Sequence, residues 1–97
     1  MFVNPNEFIK IVSKKIYQGL GSKFRIEITN VRSESDITVP VMIISQDEIH
    51  YIAPLVQIYM DYTERFDGDI NRFCEDLCKK VENFYKYIKN DENITVN

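Results

Sequence analysis

From Pro54 to Ile88 the apolar residues recur every three or four positions, and the pattern breaks once, at Phe66-Asp67-Gly68-Asp69. Leu55, Ile58, Tyr59, Tyr62 and Phe66 share one helical face, and Ile70, Phe73, Leu77, Val81, Phe84 and Ile88 share another. Ile52 to Lys89 is therefore expected to form two helices. Pro54 suits a first turn, where its missing N–H costs nothing. Gly68 suits the stop, because it takes φ > 0 without a Cβ, and Asp69 suits the N-cap of the second helix. So short a connection predicts antiparallel neighbours whose aromatic stripes supply much of the core. Burial of each large apolar side chain contributes roughly 1.5–3 kcal/mol.

Upstream, the period changes. Asn4-Pro5-Asn6-Glu7 has the residues of a helix start, with Asn4 as cap and Glu7 at the capping-box position. Phe8, Ile11, Val12, Ile16 and Leu20 form the apolar face, Lys10, Lys14 and Lys15 lie off it, and Gly19 and Gly21 end the helix. From Lys23 to Val31, Phe24, Ile26 and Ile28 alternate with Arg25, Glu27 and Thr29, the mark of a half-buried strand. After a polar connection, Ile37 to Ile44 reads as a second strand with Ile37, Val39, Val41 and Ile43 on one face. Pro40 cannot donate to a ladder, so that strand is expected at an edge or with a bulge. Ser45-Gln46-Asp47-Glu48 reads as a turn, and Ile49 to Ile52 as a short third strand. The order α-β-β-(β)-α-α predicts an α+β fold, a small antiparallel sheet covered on one face by helices. Residues 1–89 are expected to form a single domain, and residues 90–97 a frayed polar tail.

Ninety-seven residues with 44% hydrophobic content suit one ordered domain. The first residues lack a basic segment followed by an apolar run, so no signal peptide is expected, and no stretch approaches about 18 uninterrupted apolar residues. A cytoplasmic protein is the expectation. Cys74 and Cys78 lie four apart on one predicted helix, where a disulfide would constrain little, so reduced thiols are expected. Ile, Lys, Asn, Tyr and Phe are abundant and Ala53 is the only alanine, a usage that points to an AT-rich bacterial or phage genome.

Leu20-Gly21 before a strand, then Ile52-Ala53-Pro54 leading into a tyrosine-rich helix that stops at Gly68, resembles an uncharacterised family of small clostridial (Firmicutes) proteins of unknown function. The resemblance covers most of residues 5–89. It implies an N-terminal helix, a β-hairpin and a helix rich in Tyr and Glu, and it implies no activity, cofactor or site residue.

No catalytic constellation stands out. His50 is the only histidine, and no motif places a nucleophile beside it, so it reads as a surface or turn residue. Cys74 and Cys78 project to one side of a helix beside the Phe73–Leu77 stripe and read as packing, since zinc wants four ligands. The acidic run through Asp61, Glu64, Asp67, Asp69, Glu75 and Asp76 could suggest calcium, but Asp67-Gly68-Asp69 is too short for the alternating ligands of an EF-hand loop, and the carboxylates at the second helix start complement its dipole. Glycoside chemistry would need a deep cleft that so short a chain offers little room for. No catalytic residue, cofactor or metal is expected. The second helix of the pair opens with acidic residues and only Arg72 among them, which repels phosphate. The patch Lys10, Lys14, Lys15, Lys23, Arg25 and Arg32 carries no nucleic-acid-binding motif, and direct nucleic-acid binding is not the expected role. No membrane association is expected.

Charge is segregated. Residues 1–33 hold six Lys/Arg against two Asp/Glu, residues 34–76 two against ten, and residues 77–97 four against three. Six tyrosines (Tyr17, Tyr51, Tyr59, Tyr62, Tyr85 and Tyr87) exceed what one small core needs, and tyrosine suits protein interfaces. The expected role is a non-catalytic protein-binding module that docks an acidic, tyrosine-bearing face onto a basic partner. Its candidate contact residues are Tyr59, Asp61, Tyr62, Glu64, Asp67 and Asp69. The concrete form is a phage or mobile-element inhibitor of a nucleic-acid-binding protein such as a CRISPR nuclease. The alternative is a structural domain that self-associates as a homodimer.

Overall fold

A computed structural model describes residues 2–95, and the side chains of residues 2–89. The expected polar end of the chain, residues 90–97, lies outside the residues with described side chains. The elements are α1 (Pro5–Leu20), β1 (Arg25–Arg32), β2 (Thr38–Gln46), β3 (Ile49–Pro54), α2 (Leu55–Met60), a π-helical turn (Asp61–Arg65) and α3 (Ile70–Thr95). The fold is α+β, with a three-stranded antiparallel meander in the order β1-β2-β3.

Local chemistry sets the element ends. Asn4 Oδ1 accepts the N–H of Glu7 at 2.9 Å and starts α1, and Gly21, at φ 91, closes it by donating to the Tyr17 carbonyl. The β1–β2 connection runs from Ser33 to Ile37, and the loop closed by the Ser33–Ile37 pair is Glu34-Ser35-Asp36, with Asp36 at φ 65. The Ser33 N–H donates to Ile37 O at 2.8 Å, and the Asp36 N–H donates to Ser33 O at 3.0 Å. This is a turn followed by a left-handed bulge residue. The β2–β3 connection is two residues, with Asp47 at φ 57.

The Ser33–Ile37 bond also sets the phase of the sheet. Backbone direction alternates along a strand, so the odd-numbered residues of β1 and β2 bond to each other. The even-numbered residues of β2 therefore point to β3. This explains Pro40. The sequence expectation was an edge strand or a bulge, yet β2 is the central strand and both registers run without interruption. Pro40 is even-numbered, and β3 has already ended opposite Val41. Its missing N–H falls where no neighbour waits.

Phase likewise decides which face is covered. Ile26, Met42, Ile44, Tyr51 and Ala53 lie on the face packed against the helices. Val39, Val41 and Ile43, the expected apolar face of the second strand, lie on the other side with Ile52; there Val41 is buried, Val39 and Ile43 are half-buried and Ile52 is exposed. Ile37 precedes β2 and is exposed.

The two helices of the 54–88 stretch do not supply each other's main packing surface. Pro54 ends β3 and caps α2, which lasts six residues before its winding widens. The chain then breaks at Asp67 (φ 50) and Gly68 (φ 82), as the sequence predicts. So short a helix offers α3 little surface, and α3 packs chiefly along α1. The shared centre is Phe8, whose ring lies 5.1 Å from Tyr59, 4.7 Å from Tyr62 and 5.5 Å from Phe73. At the other end, Phe24 meets Tyr85, and the Tyr85 hydroxyl lies 2.8 Å from the carbonyls of both Ile44 and Ile49, tying α3 to the β2–β3 hairpin.

Candidate functional site

The segment between α2 and α3, residues 61–69, carries five of the six expected contact residues, Asp61, Tyr62, Glu64, Asp67 and Asp69. Asp61 opens the π-helical turn and faces Arg65 at 3.7 Å. Glu64, Asp67 and Asp69 are exposed. Asp69 also accepts the Arg72 N–H at 3.2 Å and so caps α3. The corner is held by backbone bonds, Phe66 N–H to Asp61 O at 3.2 Å and Gly68 N–H to Tyr62 O at 3.0 Å. A Cβ on Gly68 would lie 2.7 Å from the Phe2 ring, so the N-terminal segment approaches this turn closely only because the residue is glycine.

The two tyrosines of the expected face turn away from solvent. Tyr62 is 1% exposed, and its hydroxyl accepts the N–H of Val3 at 3.0 Å. Tyr59 is half-buried and donates to Val3 O at 2.7 Å. Together they clamp the chain start onto the core. Tyr62 is thus corrected from contact residue to core. Its i, i+3 relation to Tyr59 places both on the apolar stripe, which was the available signal. The well-exposed tyrosines are Tyr17 and Tyr87, which do not adjoin the acidic corner in sequence.

Two pairings escape a linear reading. Ser45 and His50 lie opposite each other across the hairpin, with Ser45 Oγ 2.7 Å from His50 Nδ1. A two-residue turn at Asp47-Glu48 implies that register, so the signal was present. The pair stands on the uncovered face of the sheet in a depression shared with Arg25 and Glu27. Cys74 and Cys78 lie on α3 where it crosses α1, and a Cβ on Gly19 would come within 2.8 Å of Cys78 Sγ. His50 is on the far side of the sheet from them. Among the described residues, no group of three or more His, Cys, Asp or Glu is arranged to hold a metal, and no helix is long and apolar enough to cross a membrane.

Burial, reinforced by Cys78, pushes the Cys74 thiol from 9.0 up to about 11, against a smaller pull from Lys15. Burial and Glu82 raise Cys78, and burial raises Tyr85. The fold holds all three groups neutral, so the unfolded chain ionises first as pH rises. Stability is expected to be flat across neutral pH and to fall as pH climbs from 9 towards 11. Thermal melts at neutral and alkaline pH check this, and Cys74→Ser should remove part of the alkaline loss.

No family model, no curated protein and no solved structure matches this chain.

Proposed function

We propose that this chain is a protein-binding module that docks the acidic corner Asp61–Asp69 onto a basic surface of a partner protein. The single observation that supports the reading is the geometry of that corner. Glu64, Asp67 and Asp69 are exposed within six residues of one another on a turn tied down by its own backbone. The one cation paired there, Arg65, is engaged with Asp61. A pre-ordered acidic turn loses little entropy on docking and steers a basic partner over a Debye length of about 8–10 Å. A nucleic-acid-binding protein has a surface of the required sign, and an inhibitor of a CRISPR nuclease is the concrete form.

The test is capture from a bacterial lysate at low and high salt, followed by affinity measurements on the purified partner. The triple variant Glu64→Lys, Asp67→Asn, Asp69→Asn keeps residues that tolerate positive φ and helix capping. It is expected to weaken binding by about a hundredfold, roughly 2.7 kcal/mol spread over three rim charges. Unchanged affinity would sink the acidic-corner reading. The self-associating alternative is separated by light scattering, where a monomer removes it.

A further inference from the structure

A groove runs between α1 and β1, on the opposite side of α1 from the cysteines. One wall is the stripe Lys10, Ser13, Lys14 and Tyr17 of α1. The floor is Phe24, Ile26 and Ile28, with Arg25 at one end. We infer that this groove takes an extended acidic peptide, which joins the sheet as a fourth strand on the free edge of β1.

Three independent observations carry this. The first is the edge itself. The phase set by Ser33 and Ile37 turns the backbone groups of Ile26, Ile28 and Asn30 away from β2. Among the described residues, no backbone bond outside the ladder engages them. They form an alternating row of donors and acceptors, the template for strand addition.

The second is a gap in the covered face. Ile28 lies on the helix side of the sheet, opposite fully buried Met42, and is nevertheless 42% exposed. Ser13, on the helix wall of the same groove, has its Oγ shut off from water with no hydrogen-bond partner among the described residues. The groove is open to solvent along its length, so an occupant can lie in it without displacing protein atoms.

The third is charge. Lys10 and Lys14 line the groove, and among the described residues neither has a carboxylate partner. Lys10 and Lys14 are one helical turn apart, about 6 Å along the axis. Alternate residues of a strand are spaced by about 6.6 Å. Glutamates at every second position would thus set their methylenes on Ile26 and Ile28 and their carboxylates at Lys10 and Lys14. Nucleic acid would satisfy the cations. It has no period-two row of amide donors and carbonyl acceptors to match the edge, so the peptide is the better fit. This surface is separate from the acidic corner.

The experiment uses the full chain and a fluorescein-labelled peptide, Thr-Glu-Val-Glu-Thr-Glu-Val, read by fluorescence anisotropy. Amide hydrogen exchange is followed by NMR in parallel. Saturable binding is expected, with slowed exchange at the amides of Ile26, Ile28 and Asn30. N-methylating alternate peptide amides, which leaves the protein untouched, should weaken binding by about tenfold or more in the methylated phase that faces β1. The double variant Lys10→Glu, Lys14→Glu should weaken it by about tenfold or more at unchanged circular dichroism. The acidic-corner triple variant should bind as the parent does. Absence of binding, indifference to N-methylation in both phases, or exchange at β1 that does not slow would each overturn the proposal. So would an oligothymidylate of equal charge that binds more tightly and displaces the peptide, since that would make the groove a nucleic-acid site.

Discussion

Phe8→Ala is expected to remove about 3–5 kcal/mol of folding stability, the usual cost of emptying an aromatic site in a closed core. Phe8, on α1, contacts α2, the π-helical turn and α3 at once, through Tyr59, Tyr62 and Phe73. Its loss therefore opens a void between three elements that cannot all move inward together. The clamp on Val3 depends on the same tyrosines, so the chain start should loosen as well. Urea unfolding checks this, with a lowered midpoint at an unchanged slope. A domain of this size has about 5–15 kcal/mol in total, so the variant should sit close to the limit of folding. Tyr17→Ala, at a half-exposed position on the same helix, should change stability by no more than about 0.5 kcal/mol.

The second large effect is a contrast between neighbours. Ile44→Ala is expected to cost about 2–5 kcal/mol, and Ile43→Ala about 1 kcal/mol. The two residues are adjacent and chemically identical, but Ile44 is fully buried against the helices and Ile43 is half-buried on the uncovered face. Ile44 also holds the strand whose carbonyl meets the Tyr85 hydroxyl. Paired urea titrations decide it. Equal losses would show that Ile43 is covered in solution as fully as Val41 beside it, and that the sheet is packed on both sides.

That contrast marks where reading the chain in order stops being sufficient. The apolar residues of β2 run almost without a break from Val39 to Ile44. A run of this kind names a strand and leaves its inward face open. The face follows from pairing with β1, where Ile26 and Ile28 fall opposite Ile44 and Met42. β1 alternates cleanly, so its own inward face was legible, and it imposed that face on its neighbour. The candidate site divides in the same way. Glu64, Asp67 and Asp69 were legible because a chain break marked by Gly68 is a surface turn. Tyr62 was misplaced because its composition suits an interface and its spacing suits a core. Spacing prevails when a partner such as Phe8 arrives from another element.

The sequence by itself determined the local elements: the helix and strand periods, the Asn4 and Asp69 caps, the stop at Gly68 and the α+β order. These follow from interactions within a few residues, whose energies do not depend on the rest of the fold. Only the tertiary structure decided that α3 packs on α1 rather than on α2, which face of β2 is inside, and that Lys10 and Lys14 share one groove with Ile26 and Ile28 while Lys15 faces the cysteines. Those outcomes depend on strand register and on the length of a helix cut short by its own π-helical turn. Both are set by competition among contacts between residues distant in the chain, where no local preference is large enough to choose.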